Sequence, residues 1–152
     1  MSLVLGKVIK ERRVQMGFSD LDVAKQIGLS IDWYYDIEAY EDEVSTNVDL
    51  AVLRKLCVVL DLNFLGVVTL FCNSEFYHTT AEKYFLMSGH KLIAARCHEL
   101  ALTIPDLADL IGFEEKFVER FEHSDIAIDE LNLDGLKSLA NALRVPAWLI
   151  AS

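Results

Sequence analysis

The sequence predicts an all-α fold. Apolar residues recur at three- and four-residue spacing, hydroxyl and carboxylate residues stand where helices would start, and glycines stand where they would end. The chain of 152 residues is 53% hydrophobic, too apolar for a disordered segment. The pattern also occurs twice. An offset of 84 residues superposes Lys7 on Lys91, Ile9 on Ile93, Asp22 on Asp106, Ala24 on Ala108, Ile27 on Ile111, Gly28 on Gly112 and Glu38 on Glu122. An offset of 83 then pairs Leu50, Leu53, Leu56 and Leu60 with Leu133, Leu136, Leu139 and Leu143. Most of the matches fall at apolar and glycine positions, as two copies of one fold require.

The first helix is expected over residues 5–16, with Leu5, Val8 and Ile9 inward. Ser19 and Asp22 have the spacing of a capping box, which Thr103 and Asp106 repeat with Pro105 in the first turn. Leu21, Val23, Ala24 and Ile27 are the expected buried stripe of the second helix, closed by Gly28. Ser30 caps a third helix to Ala39, a polar loop follows over residues 41–47, and Leu50, Leu53, Leu56, Cys57 and Leu60 form the stripe of a fourth helix. A fifth begins near Asn63. The expected division is a first repeat over 1–65, an ordered aromatic-rich connector over 66–89 with Phe71, Phe76, Tyr77, Tyr84 and Phe85, and a second repeat over 90–152. Residues 81–87 are expected to form one short helix, and the repeats to pack into one body of about ten short helices.

Helix, three-residue turn with glycine, helix is the helix-turn-helix signal. With residues 5–13, 17–19, 23–30 and Ile37-Glu38, the first repeat resembles the lambda-repressor-like (Cro/cI, XRE) helix-turn-helix family. The second resembles it through residues 107–112, 139–143 and 145–149. The resemblance implies tandem DNA-binding-type domains and a structural ion pair between Arg13 and Glu38, with Cys97 standing where the second repeat would need the arginine. It also implies where DNA would be read. The glutamine the family places at the start of helix 2 is replaced by Asp20 and Ile104. The base-reading positions of helix 3 hold Ile31, Asp32 and Asp36 in the first repeat, and Glu115, Lys116 and Arg120 in the second.

The formal net charge is −10, from 14 basic and 24 acidic residues, and both repeats carry the excess: 7 basic against 11 acidic over 5–65, and 6 against 11 over 90–152. Carboxylates facing a phosphate-lined groove oppose DNA binding, and only rare cytosine contacts welcome an acid. Tyr34 and Ile37 match inward positions, which leaves Trp33 and Tyr35 as outward aromatics flanked by Asp32 and Asp36; packing of Trp33 against the connector or the other repeat is the alternative. Exposed aromatics among acids suit a basic protein partner. Glu41, Asp42 and Glu43 read either as a solvated turn or as a mimic of phosphate spacing. On helix 1, Lys7, Lys10 and Arg12 read as a solvated face.

No signal for catalysis or metal binding stands out. His78, His90, His98 and His123 lack ligand spacing, and Cys57, Cys72 and Cys97 form no C-x-x-C pair. The apolar run 66–72 is far too short for a bilayer, and the first residues lack the basic-then-apolar order of a signal peptide. The sequence therefore predicts a cytoplasmic, non-enzymatic protein without cofactor, an antitoxin- or immunity-type neutraliser or protein-contact regulator. Its expected basic partner binds Ile31, Asp32, Trp33, Tyr35, Asp36, Glu41, Asp42 and Glu43. The alternative is an XRE-type transcriptional regulator that binds DNA through Lys116 and Arg120, or as a homodimer.

Overall fold

The computed structural model describes residues 4–73 and 81–152. Phe76, Tyr77 and His78 lie outside the described residues. Thirteen helices are found among the described residues, and one isolated bridge. The first half holds α1 (Leu5–Gln15), α2 (Asp20–Ile27), α3 (Ile31–Ala39), α4 (Glu43–Asn47), α5 (Leu50–Val59) and α6 (Phe64–Cys72). After α7 (Ala81–Tyr84) come α8 (Gly89–Glu99), α9 (Ile104–Ile111), α10 (Glu115–Phe121), α11 (Asp125–Asp129), α12 (Leu133–Leu143) and α13 (Ala147–Ala151).

Capping chemistry sets the helix starts. Ser19 Oγ accepts from Asp22 N–H at 3.0 Å while the Asp22 carboxylate accepts from Ser19 N–H at 2.9 Å, and Thr103 and Asp106 repeat both bonds. Ser30, Asp49, Asn63 and Asn132 cap α3, α5, α6 and α12 in turn. The left-handed residues recur at the sequence offsets: Gly17 and Ala101, Gly28 and Gly112, Asp61 and Arg144. One side-chain contact recurs with them. Arg12 Nε donates to Leu60 O at 2.9 Å, and Arg96 Nε donates to Leu143 O at 2.7 Å. Each arginine satisfies a carbonyl orphaned at the end of a helix. Arg12 is thus a half-buried tie between α1 and the end of α5, not the solvated residue expected.

Several other expectations change. Leu21 is 45% exposed, because it precedes Val23 by two residues and points about 200° away on the helix. The polar loop expected over 41–47 contains α4, which buries Val44 and, just beyond its end, Val48; this spacing of four is itself a helical signal. The expected connector is divided: its first part is α6, with Val68 and Cys72 buried, and the expected helix over 81–87 ends at Tyr84.

The halves pack as one body. Asp49 and Asn132, equivalent residues, form the antiparallel bridge, with Leu50 N–H donating to Leu131 O at 2.8 Å. On either side α4 packs on α12 and α11 on α5, while α6 packs on α12 and α13. Leu53, Leu56, Val68, Leu136, Leu139 and Ile150 lie in a continuous buried core.

Glu99 ties α7 to α8. Its carboxylate accepts from Lys83 Nζ at 2.7 Å, from the buried Tyr84 hydroxyl, and from Arg96 Nη1 at 3.0 Å. The Lys83 and Tyr84 hydrogen bonds, aided by Arg96, hold its carboxyl down at about 2. A depressed carboxyl contributes stability above its unfolded pKa of about 4.3 and loses it as pH falls toward 2. The urea midpoint should therefore be higher for the wild type than for Glu99→Gln at pH 7, and the gap should close on titration from about pH 4.5 to pH 2.

Candidate functional site

The Arg13–Glu38 pair forms as the resemblance implied. Arg13 Nε and Nη2 meet the two Glu38 oxygens at 2.6 and 3.1 Å, Arg13 Nη1 donates to Phe18 O at 2.9 Å, and Tyr34 OH donates to Glu38 Oε1 at 2.7 Å. The Glu38 hydrogen bond raises the Arg13 pKa; burial, then the same carboxylate, pushes the Tyr34 hydroxyl up. The network anchors the inner side of α3 to α1 and to the turn before α2. In the second half Cys97 takes the arginine's place, and the Glu122 charge adds to burial in raising its thiol pKa.

With Tyr34 and Ile37 fully buried, α3 turns the opposite side outward. Ile31 is 37% and Tyr35 62% exposed; Asp32 is exposed and Asp36 half-buried. Spaced by three and four residues, these four form one stripe. Trp33 is half-buried against the core, in place of the fully outward position expected. At the end of α3, Tyr40 is 56% exposed, and Glu41 and Asp42 are exposed beside it in sequence. Part of the acidic turn serves the fold: the Asp42 carbonyl accepts from Thr46 N–H and from the Ser45 and Thr46 hydroxyls, and Glu43 accepts from Asn47 Nδ2 at 2.9 Å. The helix IDWYYDIEA carries no basic residue.

The matching side of α10 holds Glu115, Lys116, Glu119 and Arg120, all exposed. Arg120 is engaged: Nη1 and Nη2 each donate to Glu130 at 2.8 Å, and its guanidinium carbon lies 5.9 Å from the Phe117 ring centroid. The reach from Arg120 to Glu130 across α10 and α11 carried no signal in the sequence, since it depends on where α11 packs.

Other chemistry-bearing groups resolve into structural roles. The three thiols are buried and free; burial pushes Cys57 and Cys97 up to about 11 and Cys72 up to about 12. Ser88, His90 and Asp125 meet, a grouping the sequence did not reveal, but Ser88 Oγ (3.3 Å) and Asp125 Oδ1 (2.8 Å) both face His90 Nδ1. A charge-relay arrangement needs the two on opposite ring nitrogens. Asp125 also accepts from His90 N–H at 2.9 Å, which caps α8. No group of His, Cys, Asp and Glu among the described residues has the arrangement of a metal site, and no helix among them is long and apolar enough to cross a membrane.

Comparison with family models, with curated proteins and with solved structures finds no match to this chain.

With Arg13 13% and Glu38 10% exposed, truncating one partner strands the other. Arg13→Ala should lower unfolding stability by about 3 kcal/mol in urea titration, and Arg13→Lys should recover only part of it, because an ammonium lacks the two-pronged grip. Lys10→Ala, at an exposed position, should stay within about 0.5 kcal/mol of wild type.

Proposed function

We propose that this chain is a non-enzymatic binding protein on a tandem lambda-repressor-like helix-turn-helix scaffold, and that its first half recognises a basic protein surface in place of DNA. The observation that carries this reading is the outward stripe of α3, Ile31, Asp32, Tyr35 and Asp36, which combines apolar contact area with two carboxylates and no cation. Interfaces concentrate their energy in aromatic anchors, and charge complementarity sets the sign of the partner. The recurrence of capping boxes, left-handed glycines and the three-residue turns before α3 and α10 supports the tandem scaffold. A cytoplasmic neutraliser of the antitoxin or immunity type, holding a basic toxin or nuclease, is the concrete form of this function.

DNA binding by the second half would rest on Lys116 and Arg120. The two-pronged hydrogen bonding of Arg120 to Glu130 counts against it, since that guanidinium would have to leave a carboxylate to meet a phosphate or a guanine.

Two measurements separate the readings. Mixed-sequence duplex DNA at low salt should show no mobility shift with the purified protein. A photo-crosslinking residue at Tyr35 should capture a basic protein in cells, and Asp32→Lys with Asp36→Lys should abolish the capture. A DNA shift that weakens steeply with salt and vanishes in Lys116→Ala would establish the regulator reading instead.

A further inference from the structure

The surface between the halves is built from equivalent positions whose chemistry differs. At its centre, Asn132 uses Oδ1 to cap Gly135 N–H at 2.7 Å and Nδ2 to donate to Thr46 O at 2.7 Å. Its counterpart Asp49 caps Val52 N–H at 2.8 Å and has no amide to donate. Arg54, on α5, donates to Asp129 Oδ1 at 3.1 Å and to Ala151 O, with its guanidinium carbon 4.1 Å from the Phe64 ring centroid. The counterpart of Arg54 is Lys137, whose Nζ lies 5.7 Å from the Phe71 ring centroid on α6. Both basic residues reach the last helix of the opposite half or a helix beside it, by different means.

We propose that this surface is a dimer interface closed within one chain and selective for unlike halves: residues 4–73 recognise residues 81–152, and the chain is a monomer. Pairing like with like explains the selectivity. Two first halves would set Asp49 against Asp49, and would present Arg54 with Thr46, the counterpart of Asp129. Two carboxylates at a half-buried bridge repel. Two second halves would set Asn132 against Asn132 and replace Arg54 with Lys137, whose ammonium cannot grip a carboxylate and a carbonyl through a planar fork. The heterotypic pair alone places a single carboxylate cap at the bridge, joins the Asn132 amide to Thr46 O, and joins a guanidinium to Asp129 and the α13 carbonyl end. This inference does not depend on the function proposed above.

The test uses the full chain with a protease recognition sequence inserted between Asn73 and Ala81. Uncut protein should run as a monomer in gel filtration with light scattering. After cutting, the two fragments should co-elute at the volume of the uncut chain as a one-to-one pair. Arg54→Glu should raise the dissociation constant of the cut halves on the order of a hundredfold. Adding Asp129→Arg should recover at least about tenfold of this, a rescue that a misfolded half could not give. Circular dichroism of the uncut single variant, expected to match wild type, keeps folding and association apart. An uncut chain that dimerises, wild-type fragments that separate on cutting, or a double variant no tighter than the single one would overturn the proposal.

Discussion

Where Asp49 meets Asn132, the starts of α5 and α12 pass each other as an antiparallel bridge, and both halves are arranged about that point. The constraint is demanding because each residue is already the cap of its own helix. Capping fixes the side-chain rotamer, the cap fixes where the helix begins, and the bridge then fixes the two helices relative to each other. The reciprocal contacts, α4 with α12 and α11 with α5, follow from it, and α6 closes against α13 beside them. α6 and α13 meet across the halves, and each also packs within its own half, α6 on α5 and α13 on α8 and α12.

Local chemistry was legible in the sequence. Ser19, Asp22, Thr103 and Asp106 act over three residues, so their spacing identifies them without knowledge of the fold, and Gly28 and Gly112 are set by backbone sterics alone. The stripe of Leu50, Leu53, Leu56, Cys57 and Leu60 is wholly buried, as its period implies. Contacts between distant segments were not legible. Arg12 and Leu60 are 48 residues apart, Arg54 and Asp129 are 75, and nothing in the neighbourhood of either arginine distinguishes it from a solvated one. Leu21 departs for a different reason: its hydrophobicity alone implies burial, whereas the helical angle places it beside the stripe and not in it. Among the expected partner-binding residues, Tyr35 and Asp32 are exposed as position implied. Trp33 turns inward because its bulk finds core contacts, which a register argument does not weigh.

The two halves differ in chemistry at positions the sequence offset makes equivalent. Arg13, Glu38 and Tyr34 form a charged network in the first half; Cys97, Glu122 and Val118 occupy those positions in the second. A thiol fills the volume of the inner part of an arginine side chain but brings no charge, so the second half anchors α10 by packing, with Phe113, Phe117 and Phe121 stacked edge to face. The same fold is thus held by an ion pair in one half and by aromatic contacts in the other. That exchange is available because both devices secure the third helix of the unit against its neighbours, and packing compensates for the lost hydrogen bonds.

The charge of −10 takes on meaning once the acids are sorted by what they do. Asp22, Asp49 and Asp106 cap helices; Glu38, Asp61, Glu99, Asp125, Asp129 and Glu130 meet cationic or histidine partners. These carboxylates are part of the fold, and their charge is balanced locally or spent on orphan N–H groups. Asp32 and Asp36 belong to neither set: among the described residues they form no ion pair, and they flank Tyr35 on the outward side of α3. A carboxylate that caps no helix and pairs with no arginine leaves much of its field available to whatever approaches, even where, like Asp32, it lies in a helix's first turn. Two of them four residues apart, on a helix without a single cation, repel a phosphate backbone and attract an ammonium or guanidinium group. In the proposed function it is these acids, which form no ion pair among the described residues, that would set the sign of a partner.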